Sequence, residues 1–322
     1  MRAVTRREYG GVSAIRLESL PRPAPGPGQV LVRVRAAGLD RAVLHLLTGT
    51  PYVARAAFGV RRPQQPIMGG EVAGEVVALG PEVNDFAIGQ RVFGTCRTAF
   101  AEYALARADQ LAATPAGVSD EFAATLGISG GTAHQAVCRH GQVQAGQQVL
   151  ILGASGGVGS FAVQIAAHLG ATVTGVCSQA KTEFVTGLGA QRAVDYRRVE
   201  VGELGQRFDV IIDIAGNRPL STLRRGLTPR GTLVIVGGEG GGRWLGGLHR
   251  NLGASLLNPF VRQRLLWFVA QESRQACEQL AKLAAGGAIR PAIDHTVGLA
   301  DVAPAVAAME QGRLRGKVVV IP

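Results

Sequence analysis

The chain has 322 residues, of which 47% are hydrophobic, and it carries a formal net charge of +11 at pH 7. A chain of this length can bury a full core and usually divides into two domains. There is no basic-then-apolar leader and no apolar run near the roughly 18 residues of a membrane span, so we expect a cytoplasmic protein without a membrane partner. The four cysteines lie far apart, with no C-x-x-C pair, so neither a disulfide framework nor a structural zinc lobe is indicated.

The positive charge raises the question of a nucleic-acid partner, because clustered basic side chains release counterions from phosphates. Here the basic residues are scattered in ones and twos, as in "RRPQQ" and "LRRGL". We interpret them as a solvated basic surface and do not expect a nucleic-acid partner.

Residues 1–125 have the pattern of a β-rich region. Short β-branched runs, such as "QVLVRVRAAG" and "EVAGEVVALG", are separated by Gly/Pro stretches such as "PRPAPGPGQ". From about residue 147 the pattern becomes strand, glycine turn, helix and strand. It continues with a helix near 180–188, a strand over "FDVIIDI", a short helix over "PLSTLRRGL" and a strand over "GTLVIVGG". Strands that alternate with helices at this spacing predict a doubly wound parallel sheet.

The last third of the chain is more varied. The stretch "GEGGGRWLGGLHRNLG" is too glycine-rich to predict a regular element, and a mobile flap that includes Trp244 or a crossing loop would both suit Gly237–Gly253. Two helices are predicted around 260–270 and 272–285. The remaining residues predict a strand, a helix and a strand that return to the first domain.

A glycine-rich turn, "GASGGVG", joins the first strand of the parallel sheet to its helix. A lone G-x-G-x-x-G pattern is weak, but this one lies inside a compact βαβ unit, which favours a dinucleotide-binding turn over a simple strand-to-helix turn. The helix N-terminus would offer unpaired N–H groups and a positive dipole to a pyrophosphate. We expect the cofactor contacts of this turn at Ser155, Gly156, Gly157 and Val158, with Gly159 allowing close helix packing.

The end of the second strand of the sheet predicts the choice of cofactor. Sites for NAD usually place an Asp or Glu there to bind the ribose 2′-hydroxyl, whereas this chain has "VCSQAK". Ser178 and Lys181 therefore favour NADPH. In the alternative interpretation, Ser178 caps the next helix and Lys181 is a solvated first-turn residue.

Five segments together resemble the medium-chain dehydrogenase/reductase superfamily: "PGPGQVLVRVRAAGLD", "GGEVAGEVVALGPEVNDFAIGQRVFG", "AFAEYA", "GASGGVGSFAVQIAAHLGA" and "GKVVVI". The resemblance covers nearly the whole chain. It implies an α/β protein in which a Rossmann domain with a doubly wound parallel sheet, residues 126–286, binds NADP. Residues 1–125 and 287–322 would form a β-rich GroES-like catalytic domain. It also implies a homodimer joined by edge strands of the cofactor domains.

The zinc alcohol dehydrogenases of this superfamily take catalytic ligands from three places that can be compared with this chain. A cysteine follows the "AAG" strand, a histidine lies in a G-H-E segment, and a further cysteine or acid precedes the cofactor domain. In this chain the first place holds Asp40 and the second holds Gly70, followed by Glu71. The third offers no better metal ligand than the Ser129 hydroxyl. A three-ligand tetrahedral site cannot be built from them, so we expect no metal.

The chain is thus most similar to the zinc-independent quinone oxidoreductase, or zeta-crystallin-like, branch. This resemblance implies hydride transfer from NADPH to a small-molecule substrate, either a quinone or an α,β-unsaturated carbonyl compound. Two alternatives stay open: an NAD(P)-dependent alcohol dehydrogenase, and a cofactor-binding protein with a regulatory or nucleic-acid role.

The quinone reductases place an asparagine after the "AAG" strand and a polar residue five positions later; this chain has Asp40 and His45 there. We expect Asp40 to orient the substrate or the nicotinamide amide and His45 to donate a proton. Equally, Asp40 would suit a helix cap, and His45 a half-buried position against the core.

The resemblance implies four further cofactor contacts. Thr132 and Asn217 would lie near the nicotinamide, together with the backbone of Gly237, and Tyr196 would reach the adenosine phosphate.

Overall fold

The structure is a computed structural model that describes residues 1–238 and 241–322. Its strands are β1 (Arg2–Thr5), β2 (Arg16–Ser19), β3 (Gln29–Leu39), β4 (Glu71–Leu79), β5 (Arg91–Thr95), β6 (Tyr103–Arg107), β7 (Leu111–Ala113), β8 (Gln148–Leu152), β9 (Thr172–Cys177), β10 (Arg192–Asp195), β11 (Phe208–Asp213), β12 (Leu227–Ile235), β13 (Arg264–Trp267), β14 (Ile293–Gly298) and β15 (Lys317–Ile321). Its α-helices are α1 (Ala42–Thr48), α2 (Arg55–Phe58), α3 (Asp120–Ala123), α4 (Gly131–His134), α5 (Gly157–His168), α6 (Thr182–Gly187), α7 (Leu220–Gly226), α8 (Gly242–Leu245), α9 (Leu248–Leu257), α10 (Arg274–Ala285) and α11 (Val302–Glu310).

The chain divides into two compact units: residues 1–131 with 271–322, and residues 132–270. The first unit is built around a seven-stranded sheet in which β3 pairs with β4, β6 and β15, all antiparallel. Its core consists mainly of valine, leucine and alanine side chains, and both Phe100 and Val320 in it are fully buried. The pairing of β15 with β3 brings the last residues of the chain into the same sheet as residues 29–39.

The second unit contains a six-stranded sheet whose pairs are all parallel, in the order β10-β9-β8-β11-β12-β13. Because the sheet is buried on both faces, its strands consist of continuous apolar runs. The run "VLIL" in β8 is an example. This confirms the predicted doubly wound α/β fold beside a β-rich domain. In such sheets ligands bind at the carboxyl ends of the strands.

The observed boundaries differ from the predicted ones, because residues 126–131 and 271–286 lie in the first unit. Helix α10 packs there against β7, and the Leu280 side chain lies 3.3 Å from where a Cβ on Gly130 would stand. Helical structure runs on from 126 to 140, with two stretches of π-helix, so the sequence has no linker signal at residue 131.

Two local predictions also differ from the structure. The predicted helix at 260–270 is wrong, since "RLLW" forms β13 and extends the parallel sheet by pairing with β12. The glycine-rich stretch contains α8 and α9, although Glu239 and Gly240 fall outside the described residues. Packing explains α9, because Ala254 is completely buried against the second core, which includes Leu265. No helix in the described ranges is long and apolar enough to cross a membrane.

Candidate active site

The glycine-rich turn follows β8 and leads into the N-terminus of α5. Gly153 has φ +84°, a left-handed conformation that favours glycine, and its N–H donates to the Val176 carbonyl at 3.1 Å. A Cβ on Gly159 would stand 2.1 Å from the Gly153 carbonyl oxygen, so only glycine lets the helix pack this closely on the turn. Gly156 is the N-cap residue, and no side chain caps the helix. The first turn of α5 therefore keeps its N–H groups available to an anion.

The four residues that the sequence assigns to this turn lie together at the start of α5. Ser155 is buried, and Gly156, Gly157 and Val158 are half-buried, so the backbone is reachable from one side. A Cβ on Gly156 would meet only the Gly153 oxygen, at 3.5 Å. The turn thus fits a dinucleotide pyrophosphate, which needs exposed N–H groups without side chains in the way.

Ser178 and Lys181 lie at the end of β9, as the sequence predicts. Ser178 is the N-cap of the short 3-10 helix Gln179–Lys181, but its hydroxyl makes no capping hydrogen bond. Burial raises the pKa of the Cys177 thiol at the end of β9 to about 11, and the nearby Lys181 charge acts against this rise. Lys181 is the last residue of this short helix, which directly follows the strand end where a 2′-phosphate would need a cation.

Tyr196 follows β10, and its N–H donates to the Cys177 carbonyl at 3.1 Å, which brings it beside the end of β9. Its ring is exposed, and the Arg197 guanidinium lies 5.5 Å from the ring centroid. Arg197 and the neighbouring Asp195 were not predicted as site residues. Asp195 is a buried carboxylate at the end of β10. Asp195 Oδ1 accepts a hydrogen bond from the Arg197 N–H at 3.1 Å. The acidic residue of this region, Asp195, thus lies at the end of β10, whereas β9 ends without an acidic residue.

The turns after β8, β11 and β12 meet at the same edge of the sheet. The Ala215 N–H donates to the Leu152 carbonyl at 3.2 Å. A Cβ on Gly216, which has φ +68°, would stand 2.5 Å from the Gly237 carbonyl carbon, so the second and third turns touch. Asn217 is exposed beside them. The structure therefore brings Asn217 and Gly237 to neighbouring turns.

A buried ion pair supports these turns. Asp213, at the end of β11, is completely buried; its Oδ2 accepts from Arg250 Nη2 at 2.5 Å and its Oδ1 from the Gly216 N–H at 2.9 Å. Arg250 comes from α9, inside the stretch whose glycine content argued against regular structure. The sequence therefore did not predict the ion pair. An acidic residue at the end of a buried apolar strand, as in "FDVIID", does indicate that the carboxylate has a partner.

Thr132 is half-buried in α4, at the start of the second unit. It lies in the part of the helical run that follows the boundary at Gly131.

In the first unit, the isolated Glu71 of the sequence has a partner. Its Oε2 forms an ion pair with Lys317 Nζ, and its Oε1 accepts from the N–H groups of Ile128 and Ser129 at 2.7 and 2.8 Å. Lys317 also donates to Ser129 Oγ at 3.0 Å. Both oxygens of Glu71 are thus engaged, with three of the roughly four lone-pair positions of the carboxylate in use. Gly38 makes room for the pair, because a Cβ there would stand 2.3 Å from Glu71 Oε2.

Asp40 follows β3 and is only 6% exposed. Its Oδ1 accepts from the Ala42 N–H at 2.8 Å, so this oxygen does cap the start of α1. Its Oδ2 is buried and has no hydrogen-bond partner among the described atoms. Burial raises the pKa of Asp40 to about 6; the Lys317 charge opposes the rise, and the Glu71 and Glu272 charges add to it. Asp40 is therefore a carboxyl group that titrates close to neutral pH.

The space next to Asp40 does not suit a zinc ion. A Cβ on Gly70 would stand 3.5 Å from Asp40 Oδ2 but only 2.7 Å from Cδ1 of Ile128, so an isoleucine methyl fills the place where a histidine side chain would begin. Burial raises the pKa of the nearby Cys96 thiol to about 12, which keeps it protonated. Within residues 1–238 and 241–322, no group of three His, Cys, Asp or Glu residues is arranged to hold a metal.

His45 lies on α1 but points away from the core. The buried residues of this helix are Val43, Leu44 and Leu47, while His45 is exposed. Its Nδ1 is 3.1 Å from the Thr50 carbonyl oxygen. It also borders a small, shallow hollow lined by Tyr9, His45, Leu46, Gly49, Ala54, Arg55 and Phe58. The predicted half-buried position is therefore wrong.

Two family models match the chain. The model described as "Alcohol dehydrogenase GroES-like domain" matches residues 26–148, and the one described as "Zinc-binding dehydrogenase" matches residues 188–320. The second description mentions zinc, but the matched range contains none of the positions compared above, Asp40, Gly70 and Ser129.

Individual proteins match over the full length. The chain is 30% identical to a protein named quinone-oxidoreductase QR1, chloroplastic, from Triphysaria versicolor, over 100% of this chain and 98% of that one. A solved quinone oxidoreductase from Coxiella burnetii superposes with a TM-score of 0.89 at 26% identity, covering 100% and 99% of the two chains. A mycobacterial protein solved in complex with NADPH gives a TM-score of 0.86 at 26% identity over 100% of both chains.

Proposed function

Because this chain belongs to the quinone oxidoreductase branch of the medium-chain dehydrogenase/reductase superfamily, we propose that it is an NADPH-dependent reductase that works without zinc. The proposed acceptors are quinones and α,β-unsaturated carbonyl compounds. The oxidoreductase class follows from the family; the cofactor, the acceptor and the absence of zinc are the proposal.

The observation that carries this proposal is the arrangement around Asp40. Ile128 fills the space beside Gly70, and Glu71 is committed to Lys317 and two backbone N–H groups. Reduction of an isolated ketone needs an electrophile, such as zinc, to stabilise the developing alkoxide. An enone or a quinone delocalises this charge onto its own carbonyl oxygen. A site with one protonatable carboxyl group and no metal ligands therefore suits the conjugated acceptors.

The second unit would hold the cofactor. The N–H groups at the start of α5 would bind the pyrophosphate, with Ser155, Gly156, Gly157 and Val158 around it. Ser178, Lys181 and Tyr196 would contact the 2′-phosphate and the adenosine, supported by the charge of Arg197. When bound, NADPH supplies the hydride, two electrons with one proton, and the chain's own groups supply orientation and charge.

The remaining residues would act at the reacting end of the cofactor. Asn217 and the backbone of Gly237 would border the nicotinamide, since their turns share the edge of the sheet with the glycine-rich turn. Thr132 is proposed to lie near the same ring by resemblance to the family. Asp40 and His45 remain the two candidates for a role in substrate orientation and proton transfer.

The test is to follow NADPH and NADH oxidation against matched acceptors: a quinone, an enone, an alkenal and the saturated ketone of the same carbon skeleton. Metal content is measured on the same sample. We expect turnover of the conjugated acceptors with NADPH, no turnover of the saturated ketone, and less than stoichiometric zinc. Ketone reduction that depends on tightly bound zinc would contradict the proposal and support an alcohol dehydrogenase.

The non-catalytic alternative rests on the basic charge, and the structure gives it little support. Several arginines are paired with carboxylates, for example Arg2–Glu102, Arg7–Glu18, Arg91–Asp120, Arg107–Asp109 and Arg274–Asp85. Salt-dependent retention on nucleic acid, without any NADPH oxidation, would favour this alternative.

We also propose that the protein is a homodimer and that it is cytoplasmic. The dimer is supported by β13, which ends the parallel sheet with an unpaired edge in the described chain. Large apolar side chains are exposed near this edge, such as Leu256, Phe260 and Val269. Light scattering during gel filtration should give twice the mass of 33.5 kDa, and Phe260→Asp should shift it to the monomer.

A further inference from the structure

We propose that Asp40 is the proton donor of the reduction and that its free oxygen, Oδ2, delivers the proton. This inference rests on the proposed function and deepens it, because it replaces an orienting role with proton transfer. It also makes Asp40, rather than His45, the catalytic acid.

The two oxygens of Asp40 have different environments. Oδ1 is held by the Ala42 N–H at 2.8 Å, which fixes the carboxyl group at the start of α1. Oδ2 is buried without a partner among the described atoms, and it faces the backbone of Gly70, where a Cβ would stand 3.5 Å from it. A buried oxygen without a partner is costly, so such a position usually serves a ligand, a water molecule or a reaction. A carboxyl group that is held by one oxygen and has no partner at the other can carry its proton on the unpartnered oxygen.

Burial raises the pKa of Asp40 to about 6, and the charges around the carboxyl group act in opposite directions. Lys317 on β15 is the nearby cation, but it is neutralised by Glu71 on β4 and also donates to Ser129. Glu272, which precedes α10, adds a second negative charge. The group on α1 that faces Asp40 is the uncharged Ala42 N–H. Burial is thus the main reason that the pKa of Asp40 lies at about 6, well above the ordinary value, with Lys317 opposing the rise and Glu71 and Glu272 adding to it.

The asparagine that quinone reductases place at this position can donate a hydrogen bond but cannot give up a proton. The aspartate of this chain can do both. His45, in contrast, is exposed, and its Nδ1 contacts the Thr50 carbonyl.

With an enone as the acceptor, bound NADPH would supply a hydride with its electron pair to the β-carbon and be left as NADP⁺. The C=C electron pair would move toward the carbonyl oxygen and give an enolate. The Oδ2–H bond of Asp40 then breaks, and the proton forms a new bond to the α-carbon or the enolate oxygen. Asp40 remains as a carboxylate and is reprotonated by solvent water.

The experiment compares the wild type with Asp40→Asn and His45→Ala, using NADPH and one enone from pH 5 to 9. Asparagine is isosteric and keeps a side-chain oxygen for the Ala42 N–H, so the fold should be retained. We expect kcat of the wild type to fall as the pH rises through the pKa of Asp40. In Asp40→Asn this inflection should disappear and kcat at pH 6 should drop at least about 100-fold. His45→Ala should keep the inflection.

A second readout does not depend on activity. The carboxyl ¹³C signal that is missing from Asp40→Asn, measured without cofactor, should titrate near pH 6 in the wild type. Retention of the inflection in Asp40→Asn, its loss in His45→Ala, or a signal that titrates near pH 4 would each overturn the inference. If the wild type reduces no conjugated acceptor, the proposed function fails, whereas the NMR titration still tests the state of Asp40.

Discussion

The Lys317 ammonium and the Glu71 carboxylate form an ion pair inside the first unit, although 246 positions separate them in the chain. Their side chains are 1% and 0% exposed. The pair can form because β4 and β15 both flank β3, where Gly38 is in register with both strands and leaves the necessary space. The ion pair thus joins the N-terminal and C-terminal segments of the unit, and it neutralises the cation closest to Asp40.

Lys317→Met should destabilise the protein by about 3–5 kcal/mol, because it leaves the Glu71 charge buried without its cation. The double variant Glu71→Gln/Lys317→Met should recover a large part of this loss, since it removes both charges and keeps side chains of similar volume. Urea unfolding of the four proteins of this double-mutant cycle gives the coupling between the two residues. A single variant within about 1 kcal/mol of the wild type would show that the pair contributes little.

The raised pKa of Asp40 makes the stability of the protein depend on pH. Between the ordinary value of 3.8 and the folded value of about 6, the native state binds more protons than the unfolded chain, so stability falls as the pH rises through this range. Above pH 6 the cost reaches roughly 3 kcal/mol, and it vanishes below pH 4. Asp40→Asn has no such cost, so its unfolding free energy should rise relative to that of the wild type between pH 4 and 7. Parallel curves in urea unfolding at pH 4, 5, 6 and 7 would contradict the raised pKa.

The sequence predicted the parallel sheet and its glycine-rich turn well, because these depend on local patterns. Apolar runs such as "VLIL" and the βαβ order indicate strands and helices without any knowledge of tertiary contacts. The predictions that failed concern elements that depend on tertiary packing. "RLLW" is too short for its pattern to distinguish a strand from a helix, and α9 forms despite its glycine because Ala254 is packed into the core.

The candidate site shows the same division. Ser155, Gly156 and Ser178 could be assigned from their places beside predicted strands. The partner of Glu71 could not, because it depends on the pairing of β15 with β3, which no local pattern contains. The unpartnered oxygen of Asp40 could not be predicted either, because an aspartate that caps a helix and a buried aspartate have the same sequence pattern.

Two glycines of the cofactor turn should respond differently to substitution by alanine. In Gly159→Ala the new Cβ would stand 2.1 Å from the Gly153 oxygen and 2.8 Å from Ala154 Cα, so the backbone must move. We expect a loss of roughly 1–3 kcal/mol in stability together with weaker NADPH binding. Gly156, in contrast, has extended dihedral angles, and a Cβ added to it would make no contact below 3.5 Å.

For Gly156→Ala we therefore expect a stability change below about 1 kcal/mol, but a clear loss of NADPH affinity, because the methyl group would stand where the pyrophosphate approaches. Thermal unfolding and calorimetric titration of both variants separate the two effects. Unchanged NADPH affinity in a folded Gly156→Ala protein would argue against a pyrophosphate at this turn.

Lys181→Ala should weaken NADPH binding about tenfold or more while leaving NADH binding unchanged, because only NADPH has a 2′-phosphate to accept a charged hydrogen bond. Lys282→Ala is the matched control, since Lys282 is an exposed lysine on α10 in the other unit. Binding constants for both cofactors, measured by calorimetry at fixed ionic strength, give the ratio directly. If Lys181→Ala and Lys282→Ala give the same ratio as the wild type, then Lys181 is a solvated residue and the specificity must come from Arg197 or elsewhere. An equal loss for NADPH and NADH would instead place Lys181 at a part of the cofactor that both share.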